Sequence, residues 1–229
     1  MAMRFDFKKL VANMRSMVGL HVEEKNKMKP KLMLNLNMDC PCGSGKKLRY
    51  CCRTRSGKIR PDFVRIKTPG KKTGYKNLKC YAALLGDCSE DLSQEHYISH
   101  GLLKHLSRSG NVEISGFSWQ GVDELKSLPT KKMVGNILCR RHNNALSPLD
   151  AIIMRFSDSI NEIDRTIILE SHKEISRYFL FNGYDIERWM LKTLCGIVYS
   201  KNASIHGQRI DTWSPSKEWA IIRYLTGRI

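Results

Sequence analysis

Apolar positions along the chain fall into short blocks of two different periods, set apart by polar turns. Phe7, Leu10, Val11, Met14, Val18 and His21 recur at roughly helical spacing and predict a short amphipathic helix over residues 5–22. Glu23 to Lys31 is polar and charged and reads as a linker. A short strand is expected at Phe63 to Ile66, and the partly alternating run Leu92 to Ile98 predicts another. Gly101 to Arg108 reads as a helix with Leu102, Leu103 and Leu106 on one side. Val112 to Ser115 reads as a strand, Val122 to Leu128 as a helical turn ended before Pro129, and Met133 to Leu138 as an apolar strand. The stripe Leu146, Leu149, Ile152, Ile153, Phe156 and Ile160 predicts a helix from Asn143 or Asn144 to about Ile163. Asn144 is its expected cap, and Pro148 sits in or near its first turn. Residues 167–229 read as α-rich. There Asp185 is the expected N-cap of a helix carrying Ile186, Trp189, Met190, Leu194, Ile197 and Val198, with Cys195 a buried thiol in or beside that face. Trp213, Trp219, Ile221 and Ile222 mark a final packing segment.

Charge changes the picture at one end. The 229-residue chain has a net charge of +17. Up to Lys76 there are 20 Lys and Arg against 5 Asp and Glu; beyond it there are 19 against 17. A cationic arm thus precedes a nearly neutral body. Nucleic acid is its expected partner, through phosphate neutralisation and counterion release, against the plainer reading of a solubilising charge run. Tyr50, Phe63 and Tyr75 are interleaved in the arm, where they can stack on bases or serve as packing residues. No run of about 18 apolar residues occurs, so no membrane span or membrane partner is expected. No secretory signal is visible, and a cytoplasmic location is the expectation.

In such a location eight cysteines read as metal ligands before disulfides. Cys40, Cys42, Cys51 and Cys52 lie close together, and Gly43 and Gly45 allow a tight turn between the thiol pairs. This stretch resembles the SEC-C zinc motif, with Cys52 at a position often held by histidine. The resemblance implies a zinc knuckle that binds or recruits, a protein partner included, and does not catalyse. A unit this small has no core of its own, so metal is expected to supply most of its stability.

Cys80, Cys88, Cys139 and His142 form a second ligand set, three sulfurs and an imidazole from two halves of the body. Its Cys-x2-His half falls where a strand meets a helix start. Between the halves lies Gln94-Glu95-His96-Tyr97-Ile98-Ser99. Glu95 and the carboxamide of Asn143 offer hard oxygens to a divalent ion, and His96 can take a proton from water. The order Cys80, Cys88, Glu95-His96, Cys139-Arg140-Arg141-His142-Asn143 resembles the HNH endonuclease family and its ββα-metal fold over about residues 78–160. The resemblance implies His96 as general base, Glu95 and Asn143 as ligands of a catalytic Mg2+ or Mn2+, and Cys80, Cys88, Cys139 and His142 as structural zinc ligands. Three features depart from the family pattern. His142 replaces a cysteine, Glu95 stands where Asp or His is frequent, and residues 100–132 would be an insertion. His100 is a candidate second imidazole, and Asn136 a candidate for the family's loop-tying Asn.

The expected architecture is therefore α+β: a zinc-stabilised ββα-metal, treble-clef-like core, a helical C-terminal part and a small N-terminal zinc knuckle. Its segments are 1–38, an N-terminal helix and basic linker; 39–53, the knuckle; 54–77, a basic linker; 78–165, the nuclease-like domain; and 166–229, a helical region. The expected activity is metal-dependent hydrolysis of nucleic-acid phosphodiesters, with DNA the first substrate. The alternative is a catalytically inactive zinc-binding adaptor for nucleic acid or protein.

Overall fold

The computed structural model describes residues 5–6, 34–107, 109–121, 124–169, 177–205, 208–210 and 215–227. In chain order the elements are β1 (Phe5–Asp6), β2 (Leu92–His96), α1 (His100–Leu106), β3 (Asn111–Ser115), β4 (Lys126–Pro129), β5 (Val134–Cys139), α2 (Arg140–Leu169), α3 (Gly183–Tyr199), β6 (Ala203–Ile205), β7 (Gln208–Ile210) and α4 (Pro215–Thr226). The chain is α+β, and its described strands form three small sheets, β1-β3-β4, β2-β5 and β6-β7.

The arrangement that positions the candidate site is β2, β5 and α2. The two strands run antiparallel, with Leu92 opposite Cys139 and His96 opposite Val134, and the register shifts between Ser93 and Glu95. α2 begins directly after β5, earlier than the apolar stripe predicts, because its first donors find partners outside the helix. Arg140 N–H donates to Asp91 O at 3.0 Å and His142 N–H to Cys139 Sγ at 3.4 Å. Asn143 and Asn144 are consequently inside the helix, and Asn144 is not its cap. Pro148 also lies within α2, where its missing N–H frees the Asn144 carbonyl. The Ser147 hydroxyl donates to that carbonyl at 2.9 Å.

Other expectations are revised by contacts between distant segments. Residues Lys126–Pro129 form β4, paired antiparallel with β3, where the pattern predicts a helical turn. Phe5–Asp6 is extended and pairs in parallel with β3; the rest of the predicted 5–22 helix lies outside the described residues, as does Trp213. Phe63 to Ile66 pairs with no described strand. Its Val64 N–H donates to the Asp185 carboxylate at 3.1 Å, and its Val64 carbonyl accepts from Arg188 at 2.7 Å. The α3 cap is Asn182, whose side chain accepts from Tyr184 N–H at 3.1 Å. Asp185 is buried, the third residue of that helix.

Among the described residues three apolar clusters hold the chain. The main one joins Cys80, Tyr81 and Cys88 to Leu138 of β5, Leu146, Leu149 and Ile153 of α2, Trp189 and Cys195 of α3, and Ile222 and Leu225 of α4. Leu103, Val112 and Ile114 form a second cluster against Tyr97, Met133 and Ile197. The knuckle has a small third cluster around Cys40, Leu48 and Cys52, capped by Leu180.

Candidate functional site

At the junction of β5 and α2, Cys139 ends the strand and His142 sits in the first turn of the helix. Cys80 and Cys88 reach them from the preceding loop. His142 Nδ1 lies 3.5 Å from Cys80 Sγ, 3.6 Å from Cys88 Sγ and 3.2 Å from Cys139 Sγ. All four residues are buried, and their ligand atoms lie within 4.8 Å of one another. A tetrahedral zinc with ordinary bond lengths needs sulfur–nitrogen edges of about 3.5 Å, so the donor set fits that ion.

The knuckle assembles its four thiols differently. Gly43 and Gly45 take positive φ values of 75° and 72°, turning Cys42 back toward Cys51. The Cys42 and Cys51 sulfurs are 3.5 Å apart and those of Cys51 and Cys52 are 3.8 Å apart, close to the roughly 3.8 Å edge of a zinc–thiolate tetrahedron. Cys40 and Cys52 are buried, while Cys42 and Cys51 are half-exposed. The knuckle docks on the body through Leu180 N–H, which donates to Pro41 O at 3.0 Å. Arg155 of α2 lies against Gly43, where an added Cβ would stand 3.2 Å from Arg155 Cδ.

Asp87 braces the loop that carries Cys88. Its carboxylate accepts from Thr68 Oγ1 at 2.7 Å, Thr73 N–H at 2.6 Å and Arg141 at 3.0 Å. Burial alone would raise its pKa. The hydrogen bonds of Thr68, Thr73 and Arg141, with the Arg141 charge, outweigh that and hold it well below the usual carboxylate range.

Glu95 and Asn143 meet across the seam of β2 and α2, where the Asn143 side chain favours the charged form of the Glu95 carboxyl. Glu95 is buried, and its Oε1 lies 2.7 Å from Lys192 Nζ of α3. The same ammonium is 2.5 Å from Asp150 Oδ2 of α2. Asp150 Oδ1 accepts from Ser99 Oγ at 2.5 Å, and Ser99 Oγ accepts from Trp189 Nε1 at 2.6 Å. Burial pushes the Glu95 carboxyl above its ordinary value despite Lys192. Burial opposes the Lys192 charge, but Asp150 and Glu95 overcome it and raise its pKa. α3 comes this close because of Gly196, where an added Cβ would lie 2.8 Å from the Tyr97 Cα.

His96 ends β2 with its Nε2 buried and without a hydrogen-bond partner among the described residues. Its ring stacks on His100, with centroids 4.4 Å apart and planes 3° from parallel. Burial first, then the nearby His100 and Lys192, lower its pKa, so the imidazole is neutral near neutral pH. The structure thus brings Glu95 to Asn143, sets His100 on His96, and gathers the zinc ligands apart from them. Asn136 is exposed on β5, with no loop-tying bond among the described residues. Among the described residues, Glu95 belongs to no group of three or more Asp, Glu, His or Cys donors placed to hold one ion.

Sequence reasoning missed Lys192, Asp150, Ser99 and Trp189. One signal was there: Lys192 falls in register with Trp189 and Cys195 on the apolar face of α3, where a lysine needs a buried partner. Comparison with protein-family models, curated proteins and solved structures returned no match.

Proposed function

We propose that the chain is an HNH-type endonuclease that hydrolyses nucleic-acid phosphodiester bonds, with DNA as first substrate. The observation that carries the reading is the juxtaposition at the β2–α2 seam. A neutral His96, its Nε2 unengaged among the described residues, follows Glu95 on β2 and feels the same Lys192 and Asp150 charges, and a separate zinc-type ligand set holds the strand-to-helix corner. Glu95 and Asn143 supply the hard oxygen donors that Mg2+ or Mn2+ favours, and such ions keep several waters and bind through one or two carboxylates. Held there, the ion would neutralise charge on the phosphate. His96 Nε2 accepts the proton of the attacking water. Asn143 and Lys192 orient the Glu95 carboxylate, and the zinc ligands keep β5 and α2 in register.

The reading is tested by nicking of supercoiled plasmid with Mg2+ or Mn2+, alongside RNA of matched sequence. His96→Ala is expected to lower the rate by about 10²- to 10⁴-fold with zinc content unchanged. Unaltered nicking by His96→Ala would refute the assigned base.

One observation favours a second reading, an inactive zinc-binding adaptor: the Glu95 carboxylate is already engaged by Lys192 at 2.7 Å. That reading expects no divalent-dependent cleavage by the wild type, with salt-sensitive nucleic-acid binding that survives Glu95→Ala and His96→Ala.

A further inference from the structure

The basic tract after the knuckle is anchored along its length. Pro61 O accepts from Asn182 at 2.9 Å, Val64 is bonded on both backbone sides to Asp185 and Arg188, and Ile66 packs on the main core. Farther on, Thr68 and Thr73 hold Asp87, and Lys71 O accepts from Arg141 at 2.7 Å. Between these anchors exposure alternates. Val64, Ile66 and Thr68 face inward, while Arg65 and Lys67 are exposed, as an extended chain with period two dictates. No Asp or Glu occurs between Asp62 and Asp87. Among the described residues no ion pair neutralises Arg65 or Lys67. These cations sit on a fixed backbone, so less ordering entropy is lost when they meet an anion than from a loose tail.

We propose that this strap, with Tyr50 of the knuckle at its head, binds single-stranded nucleic acid. The cations select a polyanion, and the aromatics select its form. Tyr50 is 74% exposed with the Arg49 guanidinium 5.5 Å from its ring centre, and Phe63 and Tyr75 are 43% and 45% exposed. Exposed rings beside a cationic track stack on unpaired bases, whose faces a duplex hides. The site does not depend on cleavage at His96.

The test is fluorescence anisotropy of the full-length, zinc-loaded protein without added Mg2+ or Mn2+, over a KCl series. The probes are a labelled single strand, the same sequence as a duplex, and phosphatidylserine vesicles. The single strand is expected to bind tightest. Arg65→Ala with Lys67→Ala is expected to reduce the slope of log affinity against log salt by about 1.4, roughly 0.7 for each lost phosphate contact. Tyr50→Ala is expected to weaken single-strand binding about tenfold, and Tyr50→Phe to retain it. All three side chains point away from the core, and zinc content reports folding. Equal or tighter binding of duplex or vesicles, or an unchanged salt slope in the double variant, would overturn the proposal. Absence of divalent-dependent cleavage by the wild type, with this binding intact, would sink only the nuclease reading.

Discussion

The two four-ligand groups invite comparison because their donor numbers match and their surroundings do not. The knuckle ligands come from one short stretch, two of them half-exposed, over a cluster of only three buried residues. The central ligands come from two segments far apart in the chain and are all buried, and their three cysteines form part of the main core. Cys80 and His142 alone are 62 residues apart in the chain. A metal ion closing so long a loop organises everything within it, whereas one closing a hairpin organises the hairpin. Zinc held in the centre would thus be a fold-level element, and zinc held in the knuckle a local one.

The largest expected effect follows. Replacing a central ligand, as in Cys88→Ser or His142→Ala, is expected to abolish cooperative unfolding of the body and lower zinc content from about two per chain to one or fewer, read by near-UV circular dichroism and elemental analysis. Cys51→Ser is expected to lose one zinc as well, but with the body's melting transition retained. Equal collapse in both variants would erase the distinction.

Next in size is the cluster that ties α3 to the seam. Lys192→Met leaves the buried Glu95 and the half-buried Asp150 without their cation, an expected loss of about 3–5 kcal/mol in urea unfolding. Gly196→Ala should destabilise the same contact through backbone rather than charge, because its Cβ meets Tyr97. A near-neutral Lys192→Met would show that the body does not lean on this network.

A smaller effect concerns pH. Because the folded Asp87 carboxyl is held below its ordinary value, its stabilisation is complete above the unfolded value of about 3.9 and is lost as pH falls through the lower folded value. Asp87→Asn should therefore cost about 1–3 kcal/mol at neutral pH and flatten the acid limb of stability relative to wild type. An identical acid limb in the variant would remove Asp87 as its cause. The smallest effect is expected at Arg155→Ala. There the contact with Gly43 is lost and chelator-driven release of the knuckle zinc quickens, while release of the central zinc keeps its rate.

Both ligand sets were legible in the sequence, because thiol spacing and the strand-to-helix position of Cys139 and His142 are local features. The order of β2, β5 and α2, the α+β character and the cationic arm were equally legible. Element boundaries moved where a partner outside the local periodicity intervened. β4 exists because β3 offers a ladder, and α2 starts early because Asp91 and Cys139 receive its first donors.

What the sequence determined by itself is what neighbours in the chain can decide: periodicity, metal-ligand spacing and charge. Only the tertiary structure decided that Lys192 and Asp150 converge on Glu95, that His100 stacks on His96, and that the basic tract is anchored as a strap. Those contacts depend on where α3 comes to rest. That position is set by the close approach of Gly196 to Tyr97 and by buried charges that must find opposite partners, and no local pattern encodes it.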